Sequence, residues 1–182
     1  MPDDVFTISI DLPPDLAKNL MAAARRGAAA GIEEGIEHLA RVVKQNILAA
    51  EAVFTGTLEH DIVSEMSQVG LNPEGFVGVA PQGADTYALT LEEGRTPGSK
   101  MPIDINTGKP FAGLIQWVTT KLGVSGTDKQ IENVAWLVAR SIGRKGFPGV
   151  HMFRNAVLAQ EANVVALVKQ RIEEELAAEA AR

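Results

Sequence analysis

The segments Tyr87-Ala-Leu-Thr-Leu-Glu-Glu-Gly-Arg-Thr-Pro97 and Gly146-Phe-Pro-Gly-Val-His-Met-Phe-Arg-Asn-Ala156 decide how this chain is organised. Each segment joins a turn rich in glycine and proline to a stretch that is patterned as regular structure. The first predicts a strand over residues 86–92, and the second predicts a turn that leads into the last helix. Neither segment contains a set of side chains that is spaced for catalysis.

The composition is that of an ordinary globular protein. The chain has 182 residues, of which 46% are hydrophobic and 22% are charged, and these values predict a single domain over residues 1–182. Cysteine is absent, which excludes disulfides, thiolate metal sites and cysteine nucleophiles. No run of about 18 apolar residues occurs, so we expect no membrane span.

Residues from about 15 to 52 carry apolar side chains at steps of three or four, which predicts one long amphipathic helix. At about 1.5 Å per residue such a helix spans roughly 55 Å, which is more than a domain of this size buries. Gly27, Gly31 and Gly35 would share one face of it. Because each glycine costs about 1 kcal/mol relative to alanine in a helix, the three need a reason. The spacing fits either a close approach to another helix or a kink between two shorter helices.

Short alternating segments predict a small antiparallel sheet of three to four strands. The segments are residues 4–11, 58–66, 76–80 and 86–92, and the last three belong to a region of strands and turns over residues 53–94. Residues 95–110 are interpreted as a long surface loop, a kind of segment that is usually functional or disordered.

The remaining residues, 111–178, are interpreted as three further helices. The first covers residues 111–122 and is expected to stop at Gly123. Thr127 and Gln130 fit a capping box, which predicts a second helix that runs to about Ile142. An exposed loop over residues 143–149 and a long C-terminal helix complete an α+β fold.

No group of side chains has the spacing that a catalytic, cofactor-binding or metal-binding site requires, and we expect no site of these three kinds. Glu34 and His38 lie one helical turn apart, but a metal site needs further ligands. His60 and Asp61 would point to opposite faces of the predicted strand. A small metal-dependent hydrolase that uses Glu34, His38 or His60 stays open as another class of function.

A basic cluster is formed by Arg140, Arg144 and Lys145, with Arg154 beyond the turn. It fits a contact to phosphate or to an acidic protein face, and it equally fits a helix C-terminus, which favours cations. Residues 101–150 carry six Lys/Arg and three Asp/Glu, a local charge of +3 in a chain whose net charge is −6. A nucleic-acid-binding module therefore stays open as an alternative function. Affinity for phosphate comes from cations, however, and in this acidic chain they are outnumbered by carboxylates.

Three short motifs resemble those of the tail-completion or head–tail joining (neck) proteins of long-tailed double-stranded DNA bacteriophages. The first is the turn Thr55-Gly-Thr-Leu58 after the long helix, and the second is the predicted strand from Tyr87 that ends Glu92-Glu93-Gly94. The third is Met152-Phe-Arg-Asn-Ala156, which opens the last helix and has Met152 where the family has proline. The resemblance covers about residues 14–175.

This resemblance implies a structural role in the virion, assembled in the host cytoplasm, without catalysis, cofactor or membrane. The family forms a closed ring, commonly of six copies, in which contacts repeat head to tail. Such a ring would contact a head-closure or connector ring and the tail-terminator or tail-tube proteins. DNA would pass through its lumen without sequence-specific binding, which suits an acidic protein. A tail-terminator or head-closure ring protein is the alternative within this class.

The candidate subunit or ring interface lies in the two segments quoted first and in the loops beside them. Its residues are Glu92, Gly94, Arg95, Pro97, Arg144, Phe147, Pro148, His151, Phe153 and Arg154.

Overall fold

The computed structural model of the protein describes residues 14–50, 57–80 and 85–181. It confirms the α+β class, with 67% helix, a long helix near each end and a small antiparallel sheet. The elements are α1 (Pro14–Ala49), α2 (Thr57–Asp61), β1 (Ile62–Val69), β2 (Asn72–Val79), α3 (Asp85–Glu93), β3 (Gly94–Arg95), α4 (Ala112–Lys121), α5 (Asp128–Lys145), β4 (Phe147–Pro148) and α6 (Met152–Ala180).

The described residues fall into two compact units. The first unit takes its residues from the ranges 1–35, 66–75 and 162–182. The second unit takes its residues from the ranges 36–65 and 76–161. None of the helices in the described ranges is apolar over a length that would cross a membrane.

The predicted long helix is confirmed as α1, which runs without interruption over 36 residues. In the first unit its glycines lie against the second half of α6. A Cβ atom added at Gly27 would come within 2.6 Å of Ile172 Cα, and one added at Gly31 within 2.6 Å of Val168 Cα. The contacted residue number in α6 falls as the glycine number in α1 rises, so the two helices are antiparallel here. The glycines therefore serve a close helix–helix approach, and the alternative of two shorter helices is wrong.

Ion pairs flank this glycine contact. Arg26 binds the carboxylate of Glu175 at 3.0 Å, and Arg171 binds that of Glu34 at 2.7 Å. The hydrogen bond to Glu34 and a second one to Glu174 raise the pKa of the Arg171 guanidinium above its usual range. All of these groups are accessible to solvent, which screens their attraction, so we expect the glycine packing to contribute more than the ion pairs.

The core of the second unit joins the second half of α1 to α2, α3 and the start of α6. Its buried residues are Ala40, Val43, Ile47, Leu58, Ile62, Ala88, Leu91, Met152 and Ala156. A side-chain amide links two of these elements, since Asn46 Nδ2 donates to the Met152 carbonyl at 2.9 Å. This core holds the start of α6 beside the end of α3.

In the second unit, α4 and α5 pack on each other through small and branched side chains. The buried positions are Leu114 and Val118 of α4 and Ala135 and Ala139 of α5. Gly143 of α5 is also buried, and it lies against Met101 and Ser99. The latter helix ends at Lys145, three residues beyond the predicted end.

The predicted end signals of these two helices are confirmed. Gly123 follows α4 with a φ of 64°. Thr127 and Gln130 form the capping box at the start of α5, in which the Gln130 side chain accepts the Thr127 amide at 2.8 Å.

The predicted strand over residues 86–92 is wrong, because α3 is a helix that spans Asp85–Glu93. Ala88 and Leu91 are buried while Leu89 is 66% exposed, so the inward residues recur at a step of three. Seven residues are too few for an apolar pattern to separate a helix from a strand.

The predicted strand over residues 58–66 is wrong in its first part. Leu58 and Ile62 are both buried at a step of four, and the chain makes the helical turn α2 before β1 starts at Ile62. The predicted strand over residues 76–80 is confirmed within β2.

The predicted sheet of three to four strands is replaced, within the described residues, by two separate pairs. One pair is β1 with β2, and the other is β3 with β4. The predicted strand over residues 4–11 lies outside the described residues.

Candidate subunit interface

The two segments quoted first in the sequence meet in the second unit. β3 runs antiparallel to β4, with Gly94 opposite Pro148 and Arg95 opposite Phe147. The pairing is short, but it brings together residues that are more than fifty positions apart in the sequence. The turn before α6 is thereby attached to the end of α3.

The carboxylate of Glu92 caps α6. Its Oε2 accepts the Phe153 amide at 3.0 Å, and its Oε1 accepts the Arg154 amide at 3.0 Å. These amides belong to the first turn of a helix, where backbone N–H groups have no intrahelical partner and the helix dipole favours a negative charge. The backbone carbonyl of Glu92 also accepts the His151 amide at 3.2 Å. The start of α6 thus depends on a residue 61 positions earlier.

Glycines allow the backbones to approach at this junction. Gly94 has a φ of 76°, and a Cβ atom there would overlap the Gly149 amide nitrogen and the Phe147 carbonyl. A Cβ atom at Gly149 would in turn overlap the Glu92 carbonyl. The Glu-x-Gly spacing therefore has a local reason: the glutamate caps the helix, and the glycine two residues later admits the opposite strand.

An open cleft of about 760 Å³ lies beside the junction. Its lining comprises Thr90, Glu93, Gly94, Arg95, Thr96, Pro97, Ser99, Lys145, Gly146, Phe147 and Pro148. The Arg95 guanidinium is held at the wall by Ser99 Oγ, at 3.4 Å, and by the Lys100 carbonyl. Backbone edges, two prolines, a phenylalanine and charges of both signs form a surface that suits a polypeptide segment.

The predicted loop over residues 95–110 is shaped by its own hydrogen bonds. Ile103 pairs with Pro110 in an antiparallel bridge, and the Asp104 amide donates to the Lys109 carbonyl at 2.8 Å. Asp104 Oδ1 accepts the Asn106 amide at 2.7 Å, which tightens the turn. The hairpin presents Ile105 at its tip with 84% of the residue exposed.

The predicted interface residues separate into two neighbouring groups and one outlier. Those that line the cleft are Gly94, Arg95, Pro97, Phe147 and Pro148. Those gathered at the start of α6 are Glu92, His151, Phe153 and Arg154. Arg144 is exposed on α5 and belongs to neither group.

Several of these residues have a role inside the chain. Glu92 is a cap, Gly94 admits β4, and Phe153 packs against the core of the second unit. Arg154 remains exposed, and its backbone rather than its side chain meets Glu92. The cleft wall also contains Thr90, Glu93 and Lys145, which are not among the predicted residues. Their place beside the others follows from the sequence only once the two segments are known to touch.

The three residues considered for a hydrolase site, Glu34, His38 and His60, are not brought together as one catalytic group. Glu34 is bound by Arg171, and His38 Nε2 lies 3.0 Å from Gln160 Oε1. His60 is exposed at the end of α2, so its predicted place on a strand is wrong. Across the described part of the chain, no three His, Cys, Asp or Glu side chains are arranged to hold a metal ion.

Comparisons of the chain with protein-family models, with curated proteins and with solved structures find no match. The resemblance to phage neck proteins therefore rests on its sequence motifs.

Proposed function

We propose that this protein is a structural virion component of the head–tail junction of a long-tailed double-stranded DNA bacteriophage. Copies of it, commonly six, form a ring around the DNA channel. The ring lies between a head-closure or connector ring and the tail-terminator or tail-tube proteins. DNA passes through the lumen without sequence-specific contacts.

The observation that carries this proposal is the contact between two of the motifs behind the resemblance. The Glu92 carboxylate of the Glu-x-Gly motif binds the Phe153 amide of the motif that opens α6, and Gly94 lies against β4. The contact joins the Glu-x-Gly motif to the motif that opens α6, and this arrangement is what supports the proposal.

Not every part of the resemblance gains this support. The residues before Glu92 form α3, where the resemblance implies a strand. In the first motif, Thr55 and Gly56 lie outside the described residues. The support comes from Glu92, Gly94 and the start of α6.

The surface of the second unit suits repeated contacts between copies. A closed ring needs two different surfaces on each copy, since each contact is head to tail. The cleft offers a concave surface, and Ile105 at the hairpin tip and Leu89 on α3 are large apolar residues that are 84% and 66% exposed. Burial of these two side chains at a contact between copies would remove apolar surface from water, which favours association.

The test is deletion of the gene from the phage that carries it, followed by electron microscopy of the lysate. We expect filled heads and finished tails that are not joined, and a plasmid copy of the gene should restore joining. Infectious, joined particles made without the protein would contradict the proposal. Its position along the axis in a particle reconstruction separates a neck ring from a tail terminator or a head-closure ring.

Complementation with variants addresses the cleft. The double variant Pro97→Ala/Pro148→Ala changes two exposed lining residues, and we expect a lower yield of joined particles than with the wild-type gene. Lys121→Ala, at an exposed position on α4, is the control and should complement fully. Equal complementation by both variants would remove the cleft from the interface.

A further inference from the structure

The outward side of α5 carries a basic and aromatic surface whose residues are all exposed. We call it the α5 face, and it consists of Lys129, Asn133, Trp136, Leu137, Arg140 and Arg144. At 3.6 residues per turn these positions fall within about 100° of one another around the helix. The buried residues of α5, Ala135, Ala139 and Gly143, lie on the neighbouring side of the helix.

The cations of the α5 face have no acidic partner among the described residues. The ion pairs among the described residues involve other cations, namely Arg26, Lys109 and Arg171. Arg140 instead lies over Trp136, with its guanidinium carbon 5.8 Å from the ring centroid. This cation–π contact holds an arginine beside an aromatic ring at the surface.

The α5 face suits a protein partner better than nucleic acid. Leu137 is 60% exposed and Trp136 is 37% exposed, and both lie between the cations. Phosphates would neutralise the cations but offer nothing apolar to Leu137, whereas a protein surface offers both. Tryptophan and arginine are also the residues that dominate binding energy at protein interfaces. The partner surface should therefore be acidic with small apolar side chains.

The end of α6 has this chemistry. Residues 173–180 contain Glu173, Glu174, Glu175 and Glu179 and no lysine or arginine. Glu174 binds Arg171, and Glu175 and Glu179 bind Arg26, so two arginines offset part of this charge and the surface stays acidic. Glu173 is exposed and has no ion pair among the described residues. The last turn of α6 has no basic side chain, although the negative end of a helix dipole favours cations. Exposed alanines lie among the carboxylates and allow a large side chain to approach.

We propose that the α5 face of one copy of this chain binds the end of α6 of a second copy. Arg140 and Arg144 meet Glu173 and the acidic surface around it, and Leu137 packs on the exposed alanines that follow Glu173. The two surfaces differ, so each copy offers one of each and the contacts run head to tail. The inference deepens the proposed function, and it rests on that function in taking the partner to be a neighbouring copy.

Analytical ultracentrifugation of the purified full chain tests the contact. We expect the wild-type protein to self-associate and the association to weaken as salt is added. Arg140→Glu/Arg144→Glu places like charges together and should raise the dissociation constant about a hundredfold. The control Arg41→Glu/Lys121→Glu makes the same charge change at exposed positions elsewhere and should stay within about threefold of wild type.

Two further variants make the result specific. Adding Glu173→Arg to the α5 double variant exchanges the charge at a carboxylate that has no ion pair within the described residues, and it should recover part of the association. Leu137→Asp changes only the apolar part and should weaken association while the circular dichroism spectrum and melting temperature stay those of wild type. A wild-type protein that remains monomeric at every concentration, or a charge exchange that recovers nothing, overturns the proposal.

Binding of the protein to a labelled DNA duplex of random sequence, measured by fluorescence anisotropy, tests the alternative that the α5 face binds nucleic acid. Salt-sensitive DNA binding that Arg140→Glu/Arg144→Glu abolishes, without self-association of wild type, would assign the α5 face to DNA and overturn the proposal. Failure of the proposed function looks different. If the charge exchange recovers self-association but the deletion phage still makes normal particles, the neck role is refuted. The contact between copies is then still supported.

Discussion

Replacing Glu92 with alanine removes the carboxylate that accepts the Phe153 and Arg154 amides, each at 3.0 Å. Hydrogen bonds to charged groups contribute about 1.5–3 kcal/mol, and loss of a helix cap costs about 0.5–2 kcal/mol. Arg154 is exposed, so water can replace part of what its amide loses. We therefore expect Glu92→Ala to lower the free energy of unfolding by about 2 kcal/mol. Glu92→Gln keeps one acceptor oxygen and loses the charge, so it should cost about 1 kcal/mol.

Urea unfolding followed by circular dichroism measures these differences, and thermal melting gives a second reading. For a chain of this length, about 2 kcal/mol corresponds to a melting temperature about 4–8 °C lower. The control is Glu93→Ala, which changes the next carboxylate on α3 but not the cap and should stay within about 0.5 kcal/mol. If Glu92→Ala is as stable as Glu93→Ala, the carboxylate does not cap α6 and the reasoning fails.

Three more predictions concern packing and capping, and all are measured as changes in the free energy of unfolding. Gly31→Ala should cost about 1–3 kcal/mol, because the new methyl group meets backbone of α6 at 2.6 Å. Gly35→Ala should cost less, because its nearest contact is a side-chain methyl at 2.8 Å that can shift, and the reverse order would contradict the packing. Ile47→Ala empties a fully buried position and should cost about 2–5 kcal/mol, whereas its neighbour Leu48, 49% exposed, should tolerate alanine within about 1 kcal/mol. Thr127→Ala should cost about 1 kcal/mol through loss of the capping box, and Thr127→Ser should restore it.

Much of the helical framework is encoded locally and can be predicted without coordinates. The long helix α1 follows from an apolar repeat sustained over 36 residues, which leaves no competing period. The start of α5 follows from Thr127 and Gln130, and the stop after α4 follows from Gly123, because caps are made by side chains and φ angles within a few residues. The three glycines on one face of α1 predict a close neighbour, but they do not say which helix it is.

Contacts between distant residues could not be predicted in the same way. The pattern in residues 86–92 fits a strand and a helix about equally, and burial of Ala88 and Leu91 against the core of the second unit selects the helix. Likewise, nothing near Glu92 in the sequence indicates that it caps α6. Which residues meet across 61 positions depends on how the whole chain buries its apolar surface. The free energy of this burial is the sum of contributions from many side chains, so no single short segment of sequence determines it.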